Sequence, residues 1–386
     1  MNRKHIVFIA RWYPDRNDSM LGLFVQKHAV AVQAFHNVSV IYVTADHRLR
    51  FGQTETTRDN FNGIDEIRFY FGKSGNTIID GWNYLKLYMR ALGMLSKPDL
   101  IHVHVLTRTA VPAFLMKVTK GIPYIITEHW SRYLPANVAA GAFSGKLRRV
   151  ITRLVVAHAE AVTTVTNNLA ISMKALGLNN RYYITPNVVD TSKFYPLERD
   201  PLRNNKFFLH VSCFDEPAKN IKGIIDATNA LAAKRTDFNL VITGDGTDYK
   251  EVFEYARRTG LEGNRITFTG LLEGEKLTKI MREAEAFIMF SNYENLPCTI
   301  LESMASGVPV ISTDVGGISE HLHTEFGLLI AAGDKQAMVT SMSAVLDNPS
   351  EFDHKKMREY AIDHFSNNAV GTMFNEIYFQ SGLTVN

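Results

Sequence analysis

The residues best suited to chemistry lie in one segment, Ser291-Asn292-Tyr293-Glu294-Asn295-Leu296-Pro297-Cys298-Thr299-Ile300-Leu301-Glu302. It follows an apolar run, Ala286–Phe290, that reads as a buried strand, and it opens a predicted helix, Thr299–Ala305. Pro297 suits a position at or near the first helical residue. In parallel α/β sheets ligands bind at the carboxyl ends of strands. A helix starting there aims N–H groups and the positive end of its dipole at the ligand, which suits a phosphate. Glu302 then lies between one and two turns inside the helix, where its carboxylate can accept two hydrogen bonds from a ribose diol. Glu294, on the loop, can reach a sugar beside the phosphates. Taken alone, the two glutamates read equally well as unrelated surface residues.

Their surroundings add to the case. Phe214-Asp215-Glu216-Pro217-Ala218-Lys219-Asn220 follows another apolar run, Phe207–Val211, and places Lys219 at the mouth of the same sheet. A lysine there can hold a diphosphate leaving group as a point charge, in place of a metal ion. Gly307-Val308-Pro309-Val310-Ile311 reads as a turn into a further strand, with Gly316-Gly317 at its carboxyl end. Paired glycines let a backbone approach a ligand closely, and a tight turn explains them equally well. His102 and His104 share one face of a strand, but no third ligand is evident beside them, so no metal centre is expected.

The elements that must position these residues alternate along the chain, short apolar strands with longer helical patterns, as in a parallel α/β architecture. Predicted strands are His5–Ala10, Val38–Val43, Leu100–Val105, Tyr124–Thr127 and Ala161–Val165, then Phe207–Val211, Leu240–Thr243, Ile266–Thr269, Ala286–Phe290 and Val308–Ser312. Helices include Phe24–Ala34, Lys222–Lys234 and Thr299–Ala305. The aperiodic stretch Val188–Lys206, with Pro196 and Pro201, reads as the break between two similar units. The tail from Phe365 has a helical pattern and is expected to return to the first unit.

The 386 residues suffice for two domains with large cores. Two cysteines, Cys213 and Cys298, imply no disulfide framework and fit a reducing, cytoplasmic compartment. The apolar start, Ile6 to Ala10, is too short for a signal peptide, and nothing approaches the roughly 20 apolar residues of a membrane span. A net charge of +3 does not argue for nucleic acid.

With these motifs in place, the chain closely resembles glycosyltransferase family 4, retaining enzymes of the GT-B fold. Glu294 and Glu302, with seven residues between them, match that family's glutamate pair. The likeness continues through Ala305, Gly307, Pro309, Gly316-Gly317 and Glu320, Gly244-Asp245-Gly246, and Pro186-Asn187-Val188-Val189-Asp190. In the first half, Gly22 resembles the family's glycine loop, and Ile101-His102-Val103-His104 and Thr127-Glu128-His129 its histidine-bearing strand ends.

The resemblance implies two Rossmann-like domains facing across a cleft: residues 1–190 with 365–386 for the acceptor, and 206–364 for the nucleotide sugar. It implies that Lys219 binds the donor diphosphate, Glu294 the transferring sugar and Glu302 the ribose. Backbone near Leu296, Cys298 and Thr299 would hold sugar and phosphate, Leu271 and Leu272 would line the base pocket, and His129 would reach a sugar hydroxyl. Gly22 and Gly244 complete the expected binding residues. The chain departs from the family at Ser212-Cys213, where Gly-Arg is frequent, and at Val188, where glycine is usual.

The expected activity is therefore sugar transfer from a UDP or GDP sugar to a glycan or lipid-linked acceptor in cell-surface polysaccharide synthesis. It is expected to retain anomeric configuration, with no cofactor and no metal. A catalytically inactive sugar-nucleotide-binding protein and a nucleotide-sugar epimerase share the architecture. A Rossmann oxidoreductase would want Gly-x-Gly-x-x-Gly after its first strand, and none follows. Finally, Gly145–Val156 places Leu147, Val150, Ile151 and Leu154 on one helical face and Lys146, Arg149 and Arg153 on the other. That pattern suits peripheral contact with the inner membrane face, or a helix packed on its own sheet.

Overall fold

A computed structural model describes residues 3–106, 108–197 and 205–383. Residues 198–204, which carry Asp200 and Pro201 of the expected linker, lie outside the described residues. The chain divides into two compact units, Met1–Val188 with Asn367–Asn386, and Val189–Ser366.

The first unit is built on a sheet of β1 (His5–Ala10), β2 (Asn37–Ala45), β3 (Thr54–Phe61), β4 (Ile64–Phe71), β5 (Leu100–His104), β6 (Tyr124–Glu128), β7 (Ala161–Thr164) and β8 (Tyr182–Ile184). Their order is β3-β4-β2-β1-β5-β6-β7-β8. All neighbours are parallel except β3 and β4. The chain leaves β1 toward β2 on one side and later returns to β5 on the other, so a topological switch point lies between β1 and β5. Because helices cover both faces, β1 reads as a continuous apolar run. On one face Ile6 and Phe8 pack with Val25, Ala29 and Val32 of helix Leu23–Gln33 and with Phe374 and Tyr378 of the returning helix Asn367–Gln380. Gly371 lets those two helices lie close, since a Cβ there would sit 2.5 Å from the Ala31 carbonyl oxygen. On the other face Val7 and Ile9 meet helices Thr77–Gly93, Ala110–Lys120, Lys146–Ala157 and Asn167–Ala175.

The hairpin β3–β4 was not foreseen. Thr54–Phe61 is polar and largely exposed because it forms the sheet edge, so it shows no apolar alternation. Its turn residues, Asn62 and Gly63, both have positive φ, a strong two-residue hairpin signal. The short edge strands β8 and, in the second unit, Gly327–Ile330 are likewise absent from the sequence expectation.

The second unit holds β9 (Phe207–Val211), β10 (Asn239–Thr243), β11 (Ile266–Gly270), β12 (Ala286–Met289), β13 (Val310–Thr313) and β14 (Gly327–Ile330). The order β11-β10-β9-β12-β13-β14, parallel throughout, puts its switch point between β9 and β12. β13 begins at Val310 rather than Val308, after a left-handed Gly307 and a Pro309 that lacks a donor. Among the described residues no helix is long and apolar enough to cross a membrane.

Candidate functional site

At the β9/β12 switch point the loops after those neighbouring strands are tied together. The Asn292 backbone N–H donates to the Ala218 carbonyl (2.8 Å), and the Asn292 amide to that of Pro217 (3.0 Å). Lys219 ends a short helix, Glu216–Lys219. The Glu216 carboxylate accepts from the N–H groups of Ile221 (2.8 Å) and Lys222 (3.1 Å), capping the next helix, Ile221–Ala232. Burial, only partly opposed by those two N–H groups, pushes the Glu216 carboxyl up.

This framework delivers Lys219 Nζ to Glu294 Oε1 at 2.5 Å, with the Ser291 hydroxyl donating to the same oxygen at 2.9 Å. Only 15% of the Lys219 side chain and 11% of that of Glu294 are exposed. Burial alone would lower the Lys219 ammonium, but the Glu294 carboxylate outweighs it and holds Lys219 above the ordinary lysine value. Cys213 shares this environment. Lost hydration raises its thiol, Lys219 pulls it down and Glu294 pushes it up, with a net rise.

The other predicted residues of this unit lie on the loops and helix that follow its strands. Gly244 ends β10 with φ 137°, and a Cβ there would stand 1.9 Å from the Ser212 oxygen. Its N–H donates to the Gly270 carbonyl (2.9 Å), directly before Leu271, which is exposed, and Leu272, which is half-buried. Leu296 is buried, Pro297 takes the N-cap position, and Cys298 and Thr299 open helix Cys298–Ala305. Glu302 is buried in that helix.

The close approach allowed by Gly316 is to the chain itself. Its φ is 64°, and a Cβ would lie 2.1 Å from the Glu294 carbonyl oxygen, while Gly317 N–H donates to Asn295 (3.1 Å). Gly316→Ala is therefore expected to cost more than about 2 kcal/mol, which lowers the melting temperature of a unit this size by roughly 4 °C or more. Gly260→Ala is the comparison, because Gly260 has a similar φ of 74° with nothing near a Cβ. Equal losses in the two variants on calorimetry would refute the contact with Glu294.

His129 and Gly22 belong to the first unit. Gly22 is the N-cap of helix Leu23–Gln33, at φ 69°, and a Cβ would meet the Trp12 carbonyl carbon at 2.2 Å. His129 lies just past β6, and His104 Nδ1 approaches its Nε2 at 3.4 Å. His28, from helix Leu23–Gln33, completes a triad in which one ring nitrogen of each lies within 4.8 Å of the others. The sequence expectation that no third histidine accompanies this strand end is thus corrected. His28 sits 76 residues away from His104, as one polar position in an amphipathic helix, and nothing local marks it. His102 is engaged elsewhere, with the Tyr378 hydroxyl (2.7 Å) and Thr127 Oγ1 (2.5 Å). Burial pushes His28 down to about 4 and His104 and His129 well below the ordinary range, so all three are neutral at physiological pH. Neutral imidazoles can hydrogen-bond hydroxyl groups and can also ligate a cation.

Glu128 was quoted in a motif but given no role. It is fully buried and holds the His129 loop by accepting from the N–H groups of Leu106 (2.9 Å), His129 (2.9 Å) and Trp130 (2.8 Å). Burial raises its carboxyl to about 7 against those three bonds.

Residues 27–187 match the family described as glycosyl transferase 4-like domain, and residues 198–364 that described as glycosyl transferases group 1. The chain is 24% identical over 298 residues to N-acetyl-alpha-D-glucosaminyl L-malate synthase of Bacillus anthracis, covering 73% of this chain and 74% of that one. It is 28% identical to 2-deoxystreptamine glucosyltransferase of Streptomyces kanamyceticus, over 69% and 73% of the two chains. Among solved structures, Anabaena HepE in complex with UDP and glucose aligns with a TM-score of 0.75 at 18% identity, over 98% of this chain and 100% of that one. Sucrose-phosphate synthase from Thermosynechococcus elongatus aligns with a TM-score of 0.78, also at 18% identity. Two Rossmann-like units, the strand-end motifs they carry and both family matches make this chain a glycosyltransferase of the family 4 type, with the GT-B fold.

Proposed function

We propose that the enzyme transfers a sugar from a nucleotide-diphosphate sugar to a glycan or lipid-linked acceptor, with retention of configuration and without a metal ion. The observation that carries this reading is the Lys219–Glu294 contact at the switch point of the second unit. Lys219 supplies the positive charge for the departing diphosphate, aided by the N-terminus of helix Cys298–Ala305. Glu294 accepts hydrogen bonds from the transferring sugar and Glu302 from the ribose, while Leu271 and Leu272 flank the base. In the first unit His129 donates to a sugar hydroxyl. A neighbour that holds UDP and glucose supports the donor type, and relatives named for lipopolysaccharide core and teichuronic acid biosynthesis support the acceptor type.

The test is incubation with UDP and GDP sugars, following donor hydrolysis and transfer with and without EDTA. Turnover that survives chelation is expected. Complete loss in EDTA, restored by a divalent ion, would overturn the metal-free reading. NMR of the first-formed product should show the donor's anomeric configuration, and an inverted linkage would overturn retention. No hydrolysis of any donor would favour an inactive nucleotide-sugar binder.

Membrane contact through Lys146–Ala157 is part of this reading. The helix packs inward through Thr152, Val155 and Val156. Its apolar stripe, Leu147, Val150, Ile151 and Leu154, is exposed (Leu147 to 74%), beside Lys146, Arg149 and Arg153. The helix thus packs on its own sheet, as the simpler expectation had it, but through residues other than this stripe. Anionic lipid attracts each nearby basic group by about 1 kcal/mol. Charge reversal at Arg149 and Arg153 should reduce co-sedimentation with anionic vesicles and leave donor hydrolysis intact. Wild-type protein that ignores such vesicles at low salt would remove the membrane from the account.

A further inference from the structure

Three arginines stand at the carboxyl ends of three adjacent strands of the first unit. Arg11 follows β1 directly, and Arg108 and Arg132 each come four residues after the end of β5 and β6. They therefore flank the β1/β5 switch point, where an open α/β sheet binds its ligand. Trp130 gathers two of them, with the Arg132 guanidinium 4.0 Å and that of Arg11 5.2 Å from its ring centre. Arg108 lies 3.9 Å from the ring centre of Tyr84.

Among the described residues no carboxylate forms an ion pair with Arg108 or Arg132. Arg132 is only 7% exposed, donates through one terminal nitrogen to the Ala142 carbonyl (2.7 Å), and leaves a buried Nε without an acceptor. A buried charged donor left unmet is costly, so its retention calls for an acceptor that arrives from outside. The neighbouring acids do not serve. Glu128 spends its oxygens on three backbone N–H groups, and Asp80, which faces Arg108, accepts from the Ser74 N–H and hydroxyl at 2.8 Å each. Arg148 adds a further positive charge near Arg132. Burial, with Arg108 and Arg132 repelling it, lowers the Arg11 guanidinium, as expected of cations crowded together.

We propose that the acceptor of this enzyme carries an anionic group, a carboxylate or a phosphate, that is bound by Arg132, Arg108 and Arg11 at the β1/β5 switch point of the first unit. The inference rests on the reading above that this unit receives the acceptor. Planar guanidinium groups stacked on aromatic rings are pre-organised for such oxyanions, and a neutral sugar would leave Arg108 and Arg132 uncompensated.

The test titrates the full-length protein, in excess UDP and separately in excess GDP so that the donor phosphate site is filled. The probes are glycerol 3-phosphate against glycerol, and glucuronate against glucose, followed by ligand-observed NMR. At least one anionic probe should bind ten-fold or more tightly than its neutral twin, and which arm responds distinguishes phosphate from carboxylate. Arg132→Gln and Arg108→Gln should each weaken that binding at least ten-fold. If Arg132→Gln does not fold, the exposed Arg108 decides the matter alone. Twins that bind alike, or folded variants that bind the anion as wild type does, overturn the proposal. Donor hydrolysis by wild type is read in parallel. Hydrolysis without anion binding sinks the anionic acceptor only, whereas anion binding without hydrolysis leaves an anion site and overturns its assignment to an acceptor.

Discussion

Replacing Lys219 with alanine is expected to lower kcat/KM for the nucleotide-sugar donor at least ten-fold. A charge-assisted contact to a diphosphate contributes about 1.5–3 kcal/mol, and 1.4 kcal/mol is already a factor of ten. The pairing with Glu294 makes the loss larger rather than smaller. Once the ammonium is gone, the Glu294 carboxylate remains near the departing phosphates, still accepting from Ser291, and like charges now repel. Glu294→Gln separates the two effects, because it keeps the lysine charge and removes the carboxylate. Lys219→Arg should restore little, since a planar fork does not replace a compact ammonium in a mostly buried contact. Steady-state rates with UDP and GDP sugars read the outcome, and melting curves show that the variants remain folded. The pair is mostly buried, so breaking it also costs some stability. Unchanged kinetics in folded Lys219→Ala would remove the lysine from the mechanism.

Mild acid is expected to destabilise the protein strongly. Burial depresses seven histidines, His28, His36, His102, His104, His129, His210 and His321, with His28, His210 and His321 brought to about 4. Below pH 6.5 the unfolded chain takes up protons that these folded imidazoles refuse, so stability is lost as pH falls from 6.5 toward 4. At pH 5 a group shifted from 6.5 to about 4 removes about 2 kcal/mol. Glu128 works in the opposite sense. Its carboxyl is raised to about 7, so it regains about 2 kcal/mol over the same descent. Five depressed histidines share the first unit with Glu128, so the balance there is a net loss of stability in acid. Calorimetry should show a melting temperature more than 10 °C lower at pH 5 than at pH 7.5. His28→Asn, which cannot titrate, should flatten part of that dependence. A melting temperature independent of pH over this range would contradict the burial of the cluster.

The sequence by itself determined the parts of this protein that depend on near neighbours. Apolar runs such as His5–Ala10 and Phe207–Val211 are strands because both faces of a parallel sheet are covered, and that leaves a local mark. The helix after Leu296 and the loop carrying Glu294 were legible because capping, dipole and strand-end chemistry act within a dozen residues. The hairpin at Asn62-Gly63 was equally legible from its turn and was missed, because its outer strand lies on an edge and carries no apolar alternation.

Tertiary structure alone decided what strand order brings together. Lys219 meets Glu294 across 75 residues because β9 and β12 are neighbours. His28 joins His104 and His129 because a helix lies against the ends of β5 and β6, and Arg11, Arg108 and Arg132 converge because β1, β5 and β6 are adjacent. Whether the stripe of Lys146–Ala157 faced the sheet or the solvent was also undecided by its pattern, because a periodic apolar face states that it avoids water and not what covers it. Register and strand order are set by the packing of the whole sheet, and no window of residues short enough to read as a pattern contains them.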